Sequence, residues 1–249
     1  MEYWISIKKT YQKEKMNKLI LSLAFIFLFS FSSQSQELID IEAPRSFQIV
    51  GKANIGTAWL TFPKAFLVNP EDIEEVWSVA PAQNNLAAAI GAQGVVRLGK
   101  HWVFLPELGV SYLSGEIQID DIKNGRASRH LQSYTRLDVP LHFAVMSTDN
   151  FWFAFGPTVF FTVHDNKGFD QAVEDLTPAT QVDSDIPVGY RISLIAAIEL
   201  SENFYIDARF EMDQGRHFRY NTSTQTYEVR SAMQNISIGI AYRLWHQQE

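Results

Sequence analysis

Two histidine–carboxylate pairs are the residues best suited to bond-making chemistry. His164 is followed directly by Asp165, and Asp213 lies four positions before His217. An imidazole beside a carboxylate can polarise a water or a serine hydroxyl for attack. The pairs belong to segments that are not sequence neighbours, and Asp/His pairs arise readily by chance in polar connections. Hydrogen bonding at a rim is therefore the favoured reading, and no catalytic residue is assigned. The run Asp165-Asn166-Lys167-Gly168 lacks the ligand series and closing glutamate of a calcium loop. His142 is expected to be a hydrogen-bonded interior residue rather than a metal ligand. With no cysteine in the chain, disulfides, thiolate metal sites and a lipoprotein anchor are excluded. No cofactor and no metal are expected.

A second set of polar residues recurs with a period of two. Lys52, Arg97, Arg136, Arg191, Arg209 and Arg243 stand against Glu107, Asp138, Glu199, Asp207, Glu211 and Asp213. Each lies within a segment whose alternate positions are apolar, the signature of a two-faced strand. Leu137, Val139, Leu141, Phe143 and Val145 alternate in this way, as do Phe151, Phe153, Phe155, Val159, Phe161 and Val163 after a short break. The same rhythm predicts strands over 47–59, 85–98, 102–112, 188–200, 204–213 and 235–244, eight in all. Long connections are expected over 61–83 (with a helical turn near 71–77), 115–128, 164–187 and 214–230, alternating with tight turns. The faces bearing the charges are otherwise small and polar, rich in Gly, Ala, Ser and Asn. A soluble barrel would carry Lys, Glu and Thr there, so the apolar face is assigned to lipid and the balanced charges to a narrow, salt-bridged lumen. The expected fold is an all-β, eight-stranded antiparallel transmembrane barrel with short periplasmic turns and four longer extracellular loops.

The Leu-Asp-Val-Pro-Leu of 137–141, followed after a tight turn by the Phe-Gly-Pro of 155–157, resembles the PorT-like outer-membrane β-barrel family. The resemblance implies an eight-stranded barrel over residues 46–245 and a part in protein secretion across the outer membrane. Its matching residues Pro140, Gly156 and Pro157 are structural, so no site residue is carried over. The final strand, Gly-Ile-Ala-Tyr-Arg-Leu, resembles the C-terminal signal read by the barrel assembly machinery, followed by a tail over 246–249.

At the N-terminus, Lys13, Lys15 and Lys18 precede an apolar run over 19–31 and the small, polar stretch Ser32-Ser33-Gln34-Ser35. This is the order of a signal peptide, expected over 1–35 with cleavage after Ser35; an uncleaved anchor is the alternative. Met16-Asn17-Lys18 has the look of a natural start, with 1–15 either an upstream misreading or a long n-region, and 36–45 reads as a short periplasmic lead. Removing 1–35 takes away five lysines and two glutamates and moves the net charge from −7 to −10. Nucleic acid is thereby excluded as a partner, because phosphate neutralisation needs a basic face.

The connections differ in sign: −3 over 61–83, −5 over 164–187 and +2 over 214–230, where Arg216 and Arg219 are candidate interaction residues. The expected partners are outer-membrane lipid and lipopolysaccharide, the assembly machinery during insertion, and an envelope or secretion-system protein. The expected function is that of a non-enzymatic envelope or interaction barrel in the cell outer membrane. The alternatives are a rim hydrolase acting on lipid A or peptides, a small pore, and a soluble periplasmic lipocalin-like barrel.

Overall fold

The computed structural model describes residues 47–61, 65–68, 76–99, 101–147, 150–166, 168, 170, 181–183, 187–214, 216–221 and 226–246. The expected signal peptide, the periplasmic lead and residues 247–249 of the tail lie outside them. Alternating apolar and polar residues form the strands β1 (Phe47–Thr61), β3 (Val76–Arg97), β4 (Trp102–Asp121), β5 (Arg126–Met146), β6 (Phe151–Asp165), β8 (Val188–Ser201), β9 (Phe204–Gln214) and β11 (Thr226–His246). Three short strands, β2 (Ala65–Val68), β7 (Gln181–Asp183) and β10 (Arg216–Asn221), accompany them. Each long strand pairs antiparallel with the next, and β1 pairs with β11 from Gln48↔His246 to Thr61↔Ala232, closing an eight-stranded barrel with no free wall edge.

At one end the strands β3–β4, β5–β6 and β8–β9 are joined by short turns. The opposite end departs from the expected loops. Residues 115–128 are not a loop: β4 and β5 stay paired up to Asp121↔Arg126 and reverse through Ile122–Gly125, where Gly125 takes a φ of 65°. The cause is visible in Gly-Glu-Ile-Gln-Ile-Asp, where Ile117 and Ile119 alternate with polar neighbours and are both buried. Val76 and Trp77 likewise belong to β3, not to a helical turn, since they pair with β2 and β4; residues 71–75 lie outside the described set. Most of 164–187 also lies outside it, while β7 pairs with β10, and β10 with the first part of β11. His246 belongs to the last strand, paired with Gln48, rather than to a tail.

The packing puts charge inside and hydrocarbon outside. Ile55, Ile90, Leu108, Leu194, Ile238 and Ile240 are exposed on the outer wall, Ile90 by 70% and Ile238 by 62%. Phe47 and Tyr242 near the short-turn end, and Phe161 and Tyr190 near the other, are exposed too. The interior holds two apolar layers. Val103, Leu105, Ala144, Trp152 and Tyr205 form one toward the short turns. Leu60, Trp77, Val79, Leu113, Ile117 and Met233 form the other, toward the opposite end. Between them lies a belt of ions.

Candidate functional site

Strand β9 supplies the spine of the belt, because its period of two sends Tyr205, Asp207, Arg209, Glu211 and Asp213 inward in succession, all buried. In the lower cluster, Lys52 Nζ lies 2.6 Å from Asp207 Oδ2 and 3.6 Å from Glu107 Oε2. Arg209 Nη2 donates to Glu107 Oε2 at 2.8 Å, and its Nε lies 3.6 Å from Asp207 Oδ2. Asn54 Nδ2 donates to Asp207 Oδ1 at 2.8 Å and Gln93 to Glu107 at 3.2 Å, while the Tyr205 hydroxyl donates to Gln93 Oε1. Gly239 makes room for this cluster: a Cβ there would collide with Asn54 Nδ2 and Asp207 Oδ1.

The upper cluster is centred on Arg191, which pairs with Asp138 and, through Nη1 at 3.1 Å, with Glu211 Oε2. Ser193 and Asn235 donate to the two oxygens of Glu211 at 3.0 and 3.1 Å, and Arg191 Nη2 donates to Ser111 at 3.3 Å. Arg136 reaches Asp213 at 2.9 Å and lies with its guanidinium carbon 4.1 Å from the Phe160 ring centroid and 5.0 Å from that of Tyr134. Both guanidinium groups are thus taken fully out of water and repaid by paired carboxylates and aromatic faces.

Of the twelve charges expected in the lumen, the structure gathers Lys52, Glu107, Arg136, Asp138, Arg191, Asp207, Arg209, Glu211 and Asp213 into these clusters. Arg97, Glu199 and Arg243 are a correction. They occupy inward positions at strand ends, so they line the short-turn mouth, where Arg97 is exposed and the other two half-buried, and they join no ion pair among the described residues. His142 departs from its expected role as well: it is fully buried, but neither ring nitrogen has a hydrogen-bond partner among the described residues. Asn54, Gln93, Ser193, Asn235 and Phe160 were not singled out by charge. The inward alternation that located the charges also contains them, and was the signal available.

The carboxylates of the two histidine–carboxylate pairs are engaged elsewhere. Asp213 is committed to Arg136 inside the barrel, and Asp165 accepts a hydrogen bond from Gln132 while His164 is exposed beside it. Arg216, Arg219 and His217 lie on β10, the first two in register with Ser231 and Glu228 in the backbone ladder with β11. No group of His, Asp and Glu suited to a metal ion occurs among the described residues.

No family model matches the sequence, and no curated protein matches it. Among solved structures the chain is similar to the outer membrane protein OprG of Pseudomonas aeruginosa, at 9% identity over 78% of this chain and 95% of that one, with a TM-score of 0.46. It is also similar to the outer membrane protein AlkL determined in DMPC lipid bilayers (9% identity, 82% and 93% covered, TM-score 0.45) and to the outer membrane protease OmpT of Escherichia coli (8%, 80% and 95%, TM-score 0.31).

Proposed function

We propose that this chain is an integral outer-membrane barrel, sealed rather than conducting, that acts without catalysis as an envelope or interaction protein through the strands raised at its long-connection end. The observation that carries the membrane reading is the inverted polarity: apolar side chains cover the wall while nine ions are buried inside. In water the exposed wall would be an aggregation hazard and the buried ions an unrewarded cost; in a bilayer both follow from the solvent. A soluble lipocalin-like barrel needs the opposite arrangement.

The two apolar layers on either side of the ion belt favour a plug over a pore. Asp213's engagement with Arg136 favours an interaction role over a rim hydrolase. Part of the surface offered to a partner is the exposed 122–129 stretch on the β4–β5 hairpin. The basic β10 segment suits lipopolysaccharide phosphates or an acidic protein surface. The resemblance to PorT-like barrels points to secretion or envelope assembly as the process served.

The test is detergent extraction from native outer membranes, comparing unboiled and boiled gel mobility and identifying what co-purifies. The expected result is a heat-shifted band with a stoichiometric envelope or secretion protein that is lost when Arg216 and Arg219 are changed to Ala. Recovery in the soluble periplasm ends the membrane reading. Steady single-channel conductance ends the sealed reading, and turnover of lipid A or a peptide ends the non-enzymatic one.

A further inference from the structure

The short-turn mouth does not have the surface expected of a barrel end that merely meets water. It is a bowl, partly open to solvent, ringed by all eight wall strands. Its floor is closed by the hydrogen-bonded Gln93 and Tyr205, with the Lys52–Glu107–Asp207 cluster beyond them. A blind recess with apolar walls and a few placed polar groups has the form of a small-molecule site rather than a channel.

The wall is divided. On the β4–β5–β6 arc it is Val103, Leu105, Ala144, Met146 and Trp152. On the remaining arc it carries both signs of charge in sequence around the rim. Glu199 stands at the end of β8 and Glu202 in the turn to β9, while Arg243 stands on β11 and Arg97 on β3, with Gln48 of β1 between them. The Arg243 backbone N–H donates to Asn203 O at 2.8 Å, so β11 and the β8–β9 turn are held side by side. None of the four charged side chains joins an ion pair among the described residues. Carboxylates and guanidinium groups therefore line a common space, facing an apolar half.

We propose that this bowl binds a zwitterionic small molecule with an apolar body, the chemistry of a short apolar peptide with free ends. The apolar side chains lie against Leu105, Met146 and Trp152. The ammonium group meets Glu199 and Glu202, and the carboxylate meets Arg243 and Arg97 in charge-assisted hydrogen bonds. A ligand with one charge leaves the other arc unpaired as its water is displaced, so both ends are required. The site rests on the barrel alone, independent of any partner at the opposite end.

The probe is the dipeptide Leu-Phe, titrated calorimetrically into the chain in lipid nanodiscs, with empty nanodiscs as the blank. N-acetyl-Leu-Phe and Leu-Phe amide supply the same body with one charge each. The expected result is binding of Leu-Phe that weakens at least about tenfold on blocking either end, about 1.4 kcal/mol of lost contact. Arg243→Gln is expected to weaken Leu-Phe but not the amide, and Glu199→Gln to weaken Leu-Phe but not the acetylated form. Both residues stand at the mouth, so heat-shifted gel mobility of each variant verifies folding. Equal binding of blocked and free forms, preference for the acetylated anion, or no heat above the blank at millimolar dipeptide overturns the proposal.

Discussion

The two faces of β9 alternate residue by residue, yet they are held by opposite kinds of force. Outward, Ile206, Ala208, Phe210 and Met212 meet neighbours and solvent through non-directional contacts, so each contributes nearly on its own. Inward, Asp207, Arg209, Glu211 and Asp213 contact strands across the lumen. Asp207 alone touches Lys52 and Asn54 of β1 as well as Arg209 of its own strand. The outer face should therefore accept exchange of one hydrophobe for another, while the inner face should respond as a coupled unit.

The strongest way to break this comparison is Arg191→Met. It removes the cation shared by Asp138 and Glu211, and a buried pair broken on one side costs about 3–5 kcal/mol. The urea unfolding midpoint in lipid vesicles, followed by tryptophan fluorescence, should fall accordingly; an unchanged midpoint would show that the belt is not coupled. Next in size is Ile238→Arg on the outer wall, where a cation near the bilayer midplane costs about 2–4 kcal/mol. Ile238→Val at the same position should cost less than about 1.5 kcal/mol, and equal penalties for the two would argue against lipid on that face.

A pair of glycines sharpens the contrast. Gly239→Ala drives a methyl into Asn54 and Asp207 and should cost about 1–3 kcal/mol. Gly51→Ala on the outer side meets only the flexible Leu244 side chain, at 3.3 Å, and should fold with a nearly unchanged midpoint. The smallest effect belongs to the hairpin tip. The Asn124 side chain, and then its backbone N–H, donate to Asp121 and hold that carboxyl below its ordinary value of 3.8. The turn's added order is therefore present above that value and lost as pH falls through the depressed one. Amide signals of Asn124 and Gly125 should move only in that acid window, while those of the wall strands stay still.

How much of this was legible without coordinates follows from the range of each interaction. Alternation is local: a strand's own period of two separates Ile206 from Asp207 whatever the rest of the chain does. Alternation alone therefore places the eight strands, the polarity of their faces and the inward direction of the twelve charges. The same signal ran on through Ile117 and Ile119 and extended the β4–β5 pair beyond the expected loop boundary. What alternation cannot state is depth and partner. The tertiary structure alone decided that Arg97, Glu199 and Arg243 reach the mouth while Arg136 and Arg191 are sealed in. It also decided that Lys52 meets Asp207 and that Arg136 lies against Phe160. The physical reason is closure: the β1–β11 register sets the stagger around the whole barrel, and that stagger determines which inward residues share a level across the lumen.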